Sequence, residues 1–245
     1  MAAGLLIWCG CTYREKLPQE LSCFLRLLEK LDVNFSLLEE EGCCGFPLIL
    51  SGCWSEARSR AGEVVDRLKG YSTVVAPCPA CFRMFREFYP KLGFKTPEVL
   101  HSTQFLHALL QNGVLSTDRL KQVRMKVMYH DPCELGRHSG VYEEPRELLS
   151  AVPGVTFYEP RFTRERAACC GGGGLLPLYF PTLSVMVASR KLLKEDEIPS
   201  DLDAIVTSCP QCILNLRRGV EWIGNEKPLN VKVLSVSQLL ERALR

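Results

Sequence analysis

The chain has 245 residues, 47% of them hydrophobic and 24% charged, the balance of a globular protein with room for one large or two small domains. A formal net charge of +2 gives no electrostatic case for nucleic acid or a membrane surface as the main partner. The longest apolar runs are strand-sized, and the N-terminus shows no basic region, long apolar core or cleavage site, so neither a membrane span nor a signal peptide is expected.

Leu5 to Trp8 reads as a short apolar strand ending at Cys9-Gly10-Cys11. Leu17 to Lys30 reads as a helix with Leu21, Phe24, Leu25 and Leu28 on one face, and Cys23 lies within it. Val33 to Leu38 reads as a second strand running into Gly42-Cys43-Cys44-Gly45-Phe46-Pro47. Ser55 to Leu68 is an amphipathic helix that stops at Lys69-Gly70. Thr73 to Ala76 is a buried-type strand delivering Pro77-Cys78-Pro79-Ala80-Cys81, and a helix from Phe82 to Tyr89 follows. Val99 to His101 is strand-like, and Thr103 to Gln111 is a helix closing at Asn112-Gly113.

The pattern then restarts. Val123 to Tyr129 is a strand leading into His130-Asp131-Pro132-Cys133. Pro145 to Val152 reads as a helix with proline at its first position. Val155 to Tyr158 is a strand, and a basic loop leads to Cys169-Cys170-Gly171-Gly172-Gly173-Gly174. Leu178 to Leu193 is largely helical, Ala204 to Thr207 is a strand delivering Ser208-Cys209-Pro210-Gln211-Cys212, Val231 to Leu234 is the last strand, and Ser237 to Leu244 the last helix.

This is an internal duplication. Cys11 and Cys133 stand 122 residues apart, Cys43 and Cys169 stand 126 apart, and Cys78 and Cys209 stand 131 apart. Alternating strands and helices imply an α/β fold of two pseudo-symmetric repeats, each a small parallel sheet flanked by helices. Sites in such sheets form at the carboxyl ends of strands, where these cysteine motifs fall. The boundary is expected between Gly113 and Lys121, giving repeats over 1–117 and 118–245.

Thirteen cysteines arranged as CC and CxxC pairs favour metal or redox chemistry in a reducing compartment, here the cytoplasm, over disulfides. Each repeat carries a lone cysteine, a CC pair and a CxxC pair: Cys11, Cys43, Cys44, Cys78 and Cys81, then Cys133, Cys169, Cys170, Cys209 and Cys212. Five soft thiolates suit iron–sulfur chemistry and exceed the four ligands of tetrahedral zinc, although zinc in one half stays open. Adjacent thiols reach one centre only if the backbone bends sharply, which assigns Gly45, Gly171 and Gly172 to the binding loops. Cys9, Cys23 and Cys53 have no counterpart in the repeat and read as structural.

The repeated pattern of a lone cysteine, CCG and CPxC resembles the cysteine-rich (CCG) domain family over essentially the whole chain. The phrase from Tyr129 to His138 and the run Tyr142-Glu143-Glu144-Pro145-Arg146 resemble the branch that contains the catalytic subunit of CoB–CoM heterodisulfide reductase. The resemblance implies two noncubane [4Fe-4S] clusters, each held by five cysteines, and reduction of a small disulfide or related substrate there. It also implies a ferredoxin-like iron–sulfur subunit and a flavoprotein subunit as partners. The alternative within the family is a non-catalytic electron-transfer subunit of a lactate-, glycolate- or glycerol-3-phosphate-oxidising complex. No ferredoxin-type C-x2-C-x2-C-x3-C-P run and no flavin or nicotinamide fingerprint is present, so electrons are expected from another protein.

Disulfide reduction consumes protons, which makes His130 and His138 candidate donors beside Cys133, and Arg137 a candidate for a substrate carboxylate or phosphate. The second repeat is the expected place for substrate. Four glycines follow its CC pair, whereas Gly45, Phe46 and Pro47 follow the first.

Overall fold

The computed structural model describes residues 4–224 and 229–245. Among these, strands β1 (Gly4–Ile7), β2 (Tyr71–Ala76) and β3 (Glu98–His101) form one sheet in the order β1-β2-β3. Strands β4 (Met125–His130), β5 (Val155–Tyr158), β6 (Ala204–Thr207) and β7 (Lys232–Ser235) form the other, in the order β5-β4-β6-β7. Every pairing is parallel. Leu6 faces Val74 and Ile7 faces Val75 in the first sheet; Met128 faces Ile205 and Tyr129 faces Val206 in the second. The duplicated sequences therefore hold duplicated neighbours. Parallel strands are covered on both faces, so their apolar residues do not alternate with polar ones. All of β6 is buried, as are Leu6, Ile7, Val74 and Val75.

The first repeat supplies helices α1 (Cys11–Lys16), α2 (Pro18–Lys30), α3 (Phe46–Leu50), α4 (Trp54–Leu68), α5 (Pro79–Arg83), α6 (Tyr89–Lys91) and α7 (Ser102–Gln111). The second supplies α8 (Glu143–Ser150), α9 (Leu176–Tyr179), α10 (Pro181–Arg190), α11 (Pro210–Gly224) and α12 (Val236–Ala243). Helices α7 and α12 begin with the same capping box. The backbone N–H of His101 donates to Gln104, and that of Ser235 donates to Gln238, while each cap side chain accepts a backbone N–H in return.

Across the two repeats, α2 packs against α12 and α7 against α8. Since α2 corresponds to α8 and α7 to α12, these are one contact made twice. Arg217 donates to buried Glu20 across the same boundary, and Lys30 pairs with Glu241. No described helix is long and apolar enough to cross a membrane.

Four sequence expectations are corrected. Val33 to Leu38 is not a strand; only Ser36 bridges to Leu6, and Leu37 is exposed. Helix α8 starts at Glu143, which places Pro145 third; its missing N–H is harmless anywhere in the first turn. The segment from Leu178 to Leu193 is two helices broken at Phe180, because Pro181 disfavours helical backbone before it, and a π-turn spans Lys191–Glu195. The helix placed at Phe82 starts at Pro79 and runs through a π-turn at Met84–Phe88.

Candidate metal centre

Strand ends and helix starts position the thiols. Cys11 opens α1 just after β1, while Cys78 precedes α5 and Cys81 lies in its first turn. Cys133 follows β4 through a turn; Cys209 follows β6, and Cys212 lies in the first turn of α11. The CC pairs arrive on loops instead, ahead of α3 and α9.

The five repeated thiols of each half form one unbroken series of neighbours. In the first, Cys11 neighbours Cys43, Cys43 neighbours Cys44, Cys44 neighbours Cys81, and Cys81 neighbours Cys78. In the second, Cys133 neighbours Cys169, Cys169 neighbours Cys170, Cys170 neighbours Cys212, and Cys212 neighbours Cys209. The order is the same in both. Cys170 and Cys212 are 3.1 Å apart at sulfur, and all thirteen cysteines are free thiols. Backbone N–H groups point at sulfur in matching places: Gly45 donates to Cys43 at 3.5 Å and Gly171 to Cys169 at 3.3 Å.

Shared protons polarise each series. Hydrogen bonds from Cys133 and Cys170 push the Cys169 thiol well below its ordinary range, while Cys133, hydrogen-bonded to Cys169 and partly buried, is pushed up. In the first repeat the bonds from Cys43 and Cys81 push Cys44 down. Cys44, Cys78, Cys81, Cys170, Cys209 and Cys212 are buried, and Cys169 is exposed.

The three unrepeated cysteines stand apart. Cys9 is buried against Glu41, and burial followed by the Glu41 charge pushes its thiol up to about 12. Cys53 caps α4, and half-buried Cys23 sits beside Arg26 on α2. Cys23→Ala is accordingly expected to leave metal content unchanged and lower stability by no more than about 1 kcal/mol. Metal analysis and thermal denaturation check this, and lost metal would place Cys23 among the ligands.

The glycine loop differs from its sequence reading. Gly171 has φ +71°, and a Cβ there would lie 2.8 Å from the Ser184 carbonyl oxygen; at Gly172 a Cβ would lie 2.5 Å from the Gln211 carbonyl oxygen. Both glycines let the loop pack against α10 and α11, so they do not line an open approach. Only Gly173 and Gly174 face open space. Gly45 has φ +84° and sits against the Arg60 side chain, Phe46 is buried, and Pro47 is exposed. Gly172→Ala is expected to lower stability by about 1–3 kcal/mol through overpacking, and Gly173→Ala to change it little. Thermal melts of the two variants provide the comparison; equal stability would contradict the packing.

Asn215 is a site residue that the sequence does not announce. It is buried, and its amide donates to the carbonyls of Cys170 at 2.6 Å and Ser184 at 2.9 Å, fixing the cysteine loop to α10. Its signal is a polar residue three after Cys212 on a buried helix face. The Asp131–Arg146 pair escapes sequence reasoning as well: Arg146 donates to Asp131 at 2.8 and 2.7 Å and to Glu159 at 2.7 Å.

His130 ends β4 and is 2% exposed. A ring nitrogen lies within 4.8 Å of the sulfurs of Cys170 and Cys212, and neither nitrogen has a hydrogen-bond partner. Leaving a buried polar group unpaired costs about 1–3 kcal/mol, and the sulfurs of Cys170 and Cys212 are the polarisable atoms shown beside this one. Burial, then the charge of Lys191, pushes its pKa down to about 3, so the ring is neutral. Lys191 itself is buried and bonded to both Asp196 oxygens, at 2.8 and 2.7 Å. His138 is exposed, and Arg137 donates to the carbonyls of Glu165 and Ala167, bracing the loop ahead of Cys169.

The two sites adjoin. Thr12, next to Cys11, accepts from Gln211 of the second CxxC motif at 3.2 Å, and Glu134, next to Cys133, accepts from Arg83 of α5 at 2.9 Å. Tyr13 of the first repeat is buried near Cys78 of its own repeat and near Cys209 and Cys212 of the second.

The fold and the thiol series together define a tandem-repeat α/β protein with one series of five neighbouring thiols per repeat. The chain belongs to the cysteine-rich (CCG) domain family, whose cysteine-rich domain profile matches residues 5–86 and 127–217. It is 37% identical over 250 residues to a subunit of the dihydromethanophenazine:CoB–CoM heterodisulfide reductase of Methanosarcina mazei, covering 99% of this chain and 59% of that protein. It is 29% identical to a subunit of the fumarate reductase (CoM/CoB) of Methanothermobacter marburgensis, covering 96% of this chain and 45% of that one. The EtfAB:quinone oxidoreductase of Syntrophomonas wolfei is 28% identical, with 98% and 34% covered. The chain thus spans between a third and three-fifths of these relatives, which are named oxidoreductases or their subunits. A solved glutamate racemase from Campylobacter jejuni aligns over 98% of this chain and 83% of its own, at 10% identity and a TM-score of 0.38.

Proposed function

We propose that the chain is an iron–sulfur oxidoreductase subunit in which each five-cysteine set holds one cluster of the noncubane [4Fe-4S] type. The observation that carries this reading is the identical order of thiol neighbours in the two repeats. Five soft sulfur donors match iron–sulfur chemistry and exceed a tetrahedral zinc site. Bound clusters supply one-electron chemistry; the chain itself supplies access, orientation and protons.

The substrate on this reading is a small disulfide, taken to two thiols by two electrons and two protons at the second repeat. Cys169 is exposed there, and Gly173 and Gly174 leave the approach free. On this reading the exposed His138, whose backbone N–H donates to the Cys133 carbonyl, carries protons inward, and Arg137 holds the rim of the site. Electrons come from a ferredoxin-like protein backed by a flavoprotein, in the cytoplasm. Exposed Leu178, Tyr179 and Phe180, directly after the glycine loop, give such a partner an apolar surface. A second reading, an electron relay without substrate, draws support from the relationship to an EtfAB:quinone oxidoreductase.

The test is anaerobic purification with iron, sulfide and zinc analysis. About eight irons with matching acid-labile sulfide are expected, and no oxidation of NADH or NADPH by the chain alone. Stoichiometric zinc without sulfide would overturn the cluster assignment. Turnover of NADH and a disulfide by the isolated chain would overturn the need for a partner.

A further inference from the structure

The repeats align Trp8 with His130, each three residues before its lone cysteine, Cys11 or Cys133. Both side chains are buried, and the only buried side-chain nitrogens left without a partner among the described residues are Trp8 Nε1 and the two ring nitrogens of His130. Both come directly off the strand that feeds the lone cysteine, Trp8 one residue past β1 and His130 as the last residue of β4. For His130 the target is visible, since the Cys170 and Cys212 sulfurs lie within 4.8 Å of a ring nitrogen.

We propose that His130 donates a ring N–H to a sulfur of the iron–sulfur group held by the second cysteine set. This rests on the iron–sulfur reading above and adds a residue outside the cysteine ligands. Hydrogen bonding is favoured over ligation to iron by two observations. Five thiols are already assembled in the same order in both repeats, so the second set needs no sixth ligand. The residue in the matching place is tryptophan, whose indole nitrogen only donates. What the two positions share is a buried, unpartnered N–H, and for His130 sulfur is the acceptor at hand.

The consequence is electronic. A hydrogen bond to a cluster sulfur favours the electron-rich, reduced state and raises the reduction potential. His130 therefore sets the potential of the second group as a positioning residue, without taking part in bond making.

The experiment is a potentiometric titration followed by electron paramagnetic resonance on the full chain, prepared anaerobically as wild type, His130→Phe and His130→Gln. Signals are assigned to each set with Cys44→Ser and Cys170→Ser. His130→Phe is expected to keep its iron and to lower the potential of the second set alone, and His130→Gln, which restores an N–H, to recover most of the shift. An unchanged potential in His130→Phe with full iron overturns the inference and leaves the cluster assignment intact; absence of iron and sulfide from the wild type overturns both. If His130→Phe loses iron, wild type labelled with 15N-histidine decides. A weak nitrogen coupling with an exchangeable proton on the second-set signal supports the hydrogen bond. A coupling of ligand strength, or none, overturns it.

Discussion

Cys170→Ser is expected to remove about half the iron and sulfide and leave the first set loaded, with Cys44→Ser removing the other half. These residues are chosen because each stands in the middle of its series. Cys170 stands between Cys169 and Cys212, and Cys44 between Cys43 and Cys81, so losing either splits the series in two. Serine nearly preserves the volume but replaces a soft donor with a hard one. Iron and sulfide measured on both variants after anaerobic purification give the result. Loss of all iron from either one would show that the adjoining sites share a single centre, and unchanged iron would remove that cysteine from the ligand set.

The largest effect on stability is expected at Asp131. Arg146 is 6% exposed and bonds to both Asp131 oxygens, and its other carboxylate partner, Glu159, is 32% exposed. Asp131→Ala leaves the buried guanidinium with the partly exposed Glu159 as its one carboxylate partner, which is expected to cost about 3 kcal/mol, the low end for breaking a buried ion pair. The double variant Asp131→Ala/Arg146→Met is expected to recover much of this, since no buried charge is left unpaired. The pair also has a pH signature. Burial raises the pKa of Asp131, but hydrogen bonds and charge from Arg146 outweigh it, and the net direction is downward. A depressed carboxyl contributes stability that is fully present above its unfolded pKa and is lost as pH falls through the folded value. The wild-type advantage over Asp131→Asn is therefore expected to hold at neutral pH and fade below the ordinary carboxylate range. Denaturation midpoints measured across pH provide the test, and a pH-independent difference would contradict the ion pair.

The residues that give the fold away in the sequence are those whose environment is set locally. Leu5 to Ile7, Val74 to Ala76 and Ile205 to Thr207 read as parallel strands because burial on both faces demands continuous apolar runs. The cysteine sets are legible because the chain states them twice. Helix α11 (Pro210–Gly224) is not among the sequence expectations, and it runs through Gly219, a residue that weakens a helix read from sequence alone. Gly219 is there for close packing: a Cβ would lie 2.8 Å from the Ala188 Cβ of α10. The role of Gly172 is misleading for the same reason, because the backbone it packs against is 39 residues away at Gln211. Asn215, Asp131 and Arg146 matter through partners that only the folded chain brings together, and no local pattern announces such pairs. His130 stands out by its place in the sequence, but its burial and unpaired nitrogens are facts of the tertiary structure.

The reciprocal packing of α2 on α12 and α8 on α7 is the geometry of an isologous two-fold interface, closed inside one polypeptide. A homodimer of a single repeat could be built with the same contacts, but every substitution near one site would then appear at the other. With both copies in one chain, that constraint is lifted. Tryptophan stands at residue 8 and histidine at residue 130, and four glycines follow one cysteine pair where Gly45-Phe46-Pro47 follows the other. Two thiol series of the same order are thus free to diverge in accessibility, and on the iron–sulfur reading also in potential, which would give electrons crossing the molecule a preferred direction.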